Sequence, residues 1–172
     1  MFPAVRRLVV AGLLLGVLFA VAWERSPRAA SATDCGAAQR EVRLPGTRHA
    51  LEGSGPVLLE LSGDHGARLS IAQSVADRLG WRGQKTPWLV RKSYRGPVVV
   101  TARRIDRRGQ VRFAYVYGQH LRELDFSRDD RSPPVRGFYE LPSDSLFHSS
   151  GCYAFRVTGK QFRERLVVRV VG

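Results

Sequence analysis

The sequence predicts an all-β domain, an antiparallel sandwich of six to eight short strands behind an N-terminal signal helix. Three observations carry that prediction. Apolar residues alternate over short runs, at Val111, Phe113, Tyr115 and Tyr117 and again at Tyr153, Phe155 and Val157. Turn-forming clusters recur about every 8–12 residues, the spacing of a chain that reverses strand after strand. No amphipathic helix of adequate length is available to cover a sheet, so each inward face needs a second sheet against it.

The leader comes first. Arg6 and Arg7 precede the stretch Leu8 to Trp23, which carries no charge. A basic start, a short apolar run and small residues form the pattern of a secretory signal. Ala20-Val21-Ala22 and Ala30-Ser31-Ala32 both fit the small-x-small cleavage rule, and an uncleaved anchor is the alternative because the run nearly reaches spanning length. The expected organisation is a signal peptide or anchor at 1–32, a lead-in with a cysteine at 33–47 and the sandwich at 48–172. The chain is then extracytoplasmic, either secreted or held through its leader. Asp34 directly before Cys35 argues against a lipidated cysteine, which needs a small residue there. Cys35 and Cys152 are the only thiols, and an even count in an oxidising compartment implies a disulfide between them.

Along the domain, an edge strand is expected near Glu41 to Leu44. Gly53-Ser54-Gly55-Pro56 turns the chain into a strand at Val57 to Leu61, and Ser62 to Gly66 reads as a loop. Leu69, Ala72, Ala76 and Leu79 keep helical spacing with Gly80 as a stop, although strand alternation fits almost as well. Pro87 to Arg91 and Pro97 to Ile105 are β-branched apolar runs. Strands follow at Val111 to Tyr117 and His120 to Phe126, then a charged loop at Ser127 to Pro134. A closing hairpin turns at Thr158-Gly159-Lys160, with Tyr153, Phe155 and Val157 on one strand and Phe162, Leu166, Val168 and Val170 on the other.

Formal net charge is +13, and about +10 remains once the leader's charges are set aside. Such a balance suits an anionic envelope polymer or a membrane surface. An exported domain rarely meets nucleic acid, so none is expected. Lysine occurs only at Lys85, Lys92 and Lys160 and asparagine is absent, so the arginines also read as a compositional skew spread over a solvated surface.

Two stretches carry a resemblance. Lys85-Thr-Pro-Trp88 precedes Arg95-Gly-Pro-Val-Val-Val-Thr-Ala-Arg-Arg-Ile-Asp106, and Gly151-Cys-Tyr-Ala-Phe-Arg-Val-Thr-Gly-Lys-Gln-Phe162 runs into Leu166-Val-Val-Arg-Val170. Together they resemble an uncharacterised family of secreted bacterial single-domain proteins with a Lys-x-x-Trp, a Gly-Pro-Val strand and a Gly-Cys-Tyr or Gly-Cys-Trp strand. The resemblance covers roughly a third of the chain. It implies an immunoglobulin-like β-sandwich and strengthens the Cys35–Cys152 pairing; it implies no activity. The Pro-x-Gly run of that family's N-terminal cysteine is missing here.

Catalytic motifs fail one by one. His49, His65, His120 and His148 show no metal-ligand spacing, and no cofactor motif is present. Ser54 is flanked outside its glycines by Glu52 and Pro56, not by the glycines of a nucleophile elbow. Asp64 and His65 make the best acid–base candidate. Trp88 is expected in the core, while Tyr94, with Lys92 and Arg95 in the same loop, is the better ligand contact. Arg163, Arg165 and Arg169 alternate along the last strand, and Arg103 leaves the apolar face of its own. If the two strands share a sheet, these four make a basic stripe suited to phosphate or carboxylate. The expected function is a non-catalytic extracytoplasmic binding or scaffold domain, with a small secreted hydrolase around Asp64 and His65 as the alternative.

Overall fold

A computed structural model describes Cys35 and residues 41–42, 50–61, 68–126 and 133–172. The expected signal helix, the Asp64-His65 loop and the loop at 127–132 lie outside the described residues. Among those described, the fold is all-β and contains no helix. Thirteen strands form where six to eight were expected: β1 (Glu41–Val42), β2 (Ala50–Glu52), β3 (Val57–Leu61), β4 (Arg68–Ser70), β5 (Arg82–Lys85), β6 (Trp88–Arg91), β7 (Val98–Arg104), β8 (Arg112–Ala114), β9 (Glu123–Phe126), β10 (Phe138–Leu141), β11 (Asp144–Phe147), β12 (Gly151–Gly159) and β13 (Arg163–Val171).

They make three sheets, ordered β1-β2-β3-β6-β10, β5-β11-β8 and β4-β13-β12-β7-β9. Every pairing between strands is antiparallel except β13 with β4. The two five-stranded sheets share one core. Val57, Leu59 and Leu61 of β3 and Trp88 and Val90 of β6 meet Val98 and Val100 of β7, Phe155 of β12 and Leu166 and Val168 of β13. Trp88 is fully buried, as its sequence context predicts, and its indole is tilted against Phe155 with centroids 5.8 Å apart. The three-stranded sheet adds Phe113 and Phe147, which pack on Phe155 and Tyr153.

The closing hairpin forms as expected. Thr158 pairs with Arg163 across a loop of Lys160 to Phe162, closed by the Gly159 amide donating to the Phe162 carbonyl. That loop sets the register of the whole pair, and a slip of one residue would turn the Tyr153–Phe155–Val157 face outward. Phe162 stays outside the strand and packs on the core from the turn.

Two local expectations fail for the same reason: a side chain captures the backbone. The helical spacing at 69–79 forms no helix. Leu69 and Ile71 are buried in the β4 segment, while the Asp77 carboxylate accepts the amides of Leu79 (2.8 Å) and Trp81 (2.9 Å) and holds the chain in a turn. The strand expected at Val111 to Tyr117 stops at Ala114. There Gln119 Oε1 accepts the amides of Tyr115 and Val116, and Gly118 adopts φ +88°, leaving Tyr117 96% exposed.

A buried clamp closes one end of the core. Arg104, on the inward side of β7, donates from Nε to Asp106 Oδ1 (2.5 Å), from Nη2 to Asp106 Oδ2 (3.1 Å) and from Nη1 to Ser149 Oγ (2.7 Å), and also to the Ser150 carbonyl. Its guanidinium lies over the Tyr153 ring, 5.4 Å from the centroid, and against Gly151, where a Cβ would collide with it. The hydrogen bond from Arg104 holds the Asp106 carboxyl below its ordinary range, outweighing burial. A carboxyl with a lowered folded pKa contributes stability that is complete above its unfolded pKa and is lost as pH falls through the folded one. Stability should therefore drop in acid, below about pH 4. Asp106→Asn is expected to cost about 1.5–3 kcal/mol at neutral pH and to flatten that acid limb, read by urea titrations across pH. An acid limb unchanged in the variant would assign it to other carboxylates.

Candidate anion site on the outer face of the β12 sheet

Strand geometry sends every second residue of the β4-β13-β12-β7-β9 sheet away from the core. On β7 the outward positions are Val99, Thr101 and Arg103; on β12 they are Cys152, Ala154, Arg156 and Thr158; on β13 they are Arg163, Arg165, Val167 and Arg169. The strands of Arg103 and of Arg163, Arg165 and Arg169 do share a sheet, with β12 between them. Register then decides which arginines meet. Arg165 lies directly opposite Arg156, and Arg103 lies opposite Ala154, one diagonal step from Arg156.

These three arginines surround a groove of about 270 Å³, with Thr101 and Ala154 in its lining. Among the described residues, no carboxylate pairs with Arg103, Arg156 or Arg165, and no hydrogen bond engages their side chains. Directly opposed like charges cost stability in a sheet; among the described residues, the outward acid nearest to them in register is Glu123, one diagonal step from Arg103 and not bonded to it. Glu123 and Asp125 face outward on β9 opposite Thr101 and Val99, a strand away from β12. The concave, cationic and unpaired arrangement can take a phosphate or carboxylate by charge-assisted hydrogen bonds, with guanidinium forks from neighbouring strands. Arg163 and Arg169 flank Arg165 along β13 without lining the groove.

The disulfide sits on this same face. Cys35 and Cys152 are bonded with Cα atoms 5.4 Å apart, and Cys152 points outward from β12 two residues before Ala154. The bridge accordingly secures Cys35 to the outer surface of the sheet, not between the sheets.

Arg156 is the residue that sequence reasoning missed. It alternates with the apolar series at Tyr153, Phe155 and Val157, and that series marks β12 as a core strand. The available signal was the hairpin itself: once the turn is placed with Thr158 opposite Arg163, Arg156 falls opposite Arg165.

The Tyr94 loop is built differently. The Tyr94 hydroxyl donates to the Pro97 carbonyl (2.9 Å) and accepts the Lys160 amide (2.9 Å), and its ring meets Phe162 edge-on at 5.3 Å. Tyr94 thus ties the 92–97 loop to the β12–β13 turn. Arg95 donates to the Tyr139 hydroxyl (3.2 Å), while Lys92 is exposed. None of the three lines the arginine groove.

A second polar cluster joins two loops. His120 Nε2 lies 2.6 Å from Asp77 Oδ2, and Trp81 stacks on His148 at 3.6 Å with the Arg112 guanidinium 5.9 Å from the indole. Burial pushes the Asp77 carboxyl up, but the Trp81 and Leu79 amides and His120 together hold it below its ordinary value. Ser54, the rejected nucleophile, donates from its amide and hydroxyl to Glu164 at the start of β13, which fixes the 53–55 turn. Among the described residues, no three His, Cys, Asp or Glu side chains converge as a metal site. No family model, curated protein or solved structure matches this chain.

Proposed function

We propose that the chain is a non-catalytic extracytoplasmic binding domain whose ligand is an anion held on the outer face of the β12 sheet. The observation that carries this reading is the convergence of Arg103, Arg156 and Arg165, unpaired, on one groove. The disulfide fits an oxidising compartment outside the cytosol. An immunoglobulin-like character belongs to the same proposal, supported by facing sheets and the buried indole of Trp88; the outward position of the bridge departs from the inter-sheet bridge of antibody domains.

The test is retention of the full chain, in zwitterionic detergent micelles, on immobilised polyphosphate. The wild type should bind and elute with salt, because the contacts are ionic. Arg156→Gln/Arg165→Gln should lose at least about tenfold in affinity, with its far-UV spectrum and disulfide intact. Equal retention of both proteins would assign these arginines to solubility alone. The hydrolase alternative passes from Asp64 and His65, which lie outside the described residues, to the Asp77–His120 pair. Among the described residues no serine hydroxyl is hydrogen-bonded to His120, so that pair reads as a clasp between loops.

A further inference from the structure

We infer that the anion is the headgroup surface of an anionic phospholipid membrane, which rests on the binding reading above and names its partner. The groove lies on an outer sheet face whose middle, at Cys152, Ala154 and Val167, is buried, and the charge of that face reaches beyond the groove. Arg68 on β4 stands on the same side of the sheet, so Arg68, Arg103, Arg156, Arg163 and Arg165 project to one side across four strands. Among the described residues of this sheet, the outward acids, Glu123 and Asp125, stand on β9 at its edge. A spread of guanidinium groups on a broad surface matches a plane of phosphates better than it matches one small ion.

The experiment is arginine footprinting of the full chain reconstituted into vesicles, with phenylglyoxal as the reagent and mass spectrometry as the readout. Vesicles of phosphatidylcholine alone are compared with vesicles also containing phosphatidylglycerol. Each arginine near an anionic leaflet contributes about fivefold in affinity. Modification of Arg103, Arg156 and Arg165 should accordingly slow about fivefold or more in the anionic vesicles, and recover at high salt. Arg78, in the turn before Trp81, should react equally in both. Protection by added polyphosphate in phosphatidylcholine vesicles, with none from phosphatidylglycerol, would leave the anion site standing and overturn the membrane partner. Protection by neither would overturn both. Equal protection in the two vesicle types would overturn the headgroup assignment, because contact would then not depend on lipid charge.

Discussion

Trp88→Ala is expected to lower the unfolding free energy by about 3–5 kcal/mol. The indole is completely buried on β6 and faces Phe155 of the opposite sheet, so its loss opens a cavity between two sheets whose backbones are fixed by their own ladders. Collapse of the site is resisted from both sides. Trp88 Nε1 is buried without a hydrogen-bond acceptor, which identifies the contribution of this residue as volume and contact, not polarity. Trp88→Phe removes the unsatisfied donor along with part of the volume. It should cost less than half as much, because an unmet buried N–H is itself a penalty of about 1–3 kcal/mol. Urea titrations with unchanged m-values measure both losses. A Phe variant as damaged as the Ala variant would mean that the N–H has a partner in solution.

The strands that sequence pattern made visible are those whose side chains face the shared core. β3, β6, β7, β12 and β13 each carry at least two large apolar residues at alternate positions, and their spacing is the period of a pleated strand. β5 has no such signature. Arg82-Gly83-Gln84-Lys85 is entirely polar or glycine, and it is a strand because β11 supplies its backbone partners. β10 and β11 are short segments divided at Pro142 and Ser143, and no periodic pattern survives over so few residues. The failed helix at 69–79 and the truncated strand at 111–117 lost to Asp77 and Gln119, whose side chains offered the backbone amides a local acceptor.

The candidate site was legible by face and illegible by neighbour. Period-2 spacing put Arg103, Arg163, Arg165 and Arg169 on the solvent side of their strands, as the structure has them. It could not say that β12 would stand between the two strands and bring Arg156 into their midst. Sheet order is a property of the whole core, set by which apolar faces meet, and a single strand's sequence does not contain it.

Removing the disulfide should be of comparable size to the loss of Trp88. Cys35 and Cys152 are 117 positions apart, and cross-linking a loop of that length restricts the unfolded chain by about 4–5 kcal/mol in the entropic account. Cys35→Ala/Cys152→Ala is the suitable variant, since Cys152 is buried on the outward side of β12 and alanine leaves no polar atom there. The inner face of Tyr153, Phe155 and Val157 belongs to the other side of the strand, so the core and the far-UV spectrum should persist. The m-value separates the two ways in which stability can fall. If the bridge acts on the unfolded ensemble, its removal lets that ensemble expand and expose more surface, and m should rise while the midpoint falls. If it acts by holding native contacts around Cys152, the midpoint should fall at constant m. We expect the rise. Reduction of the wild type by dithiothreitol should give the same curve, and a total loss below about 1 kcal/mol would show that the unfolded chain is already confined without its bridge.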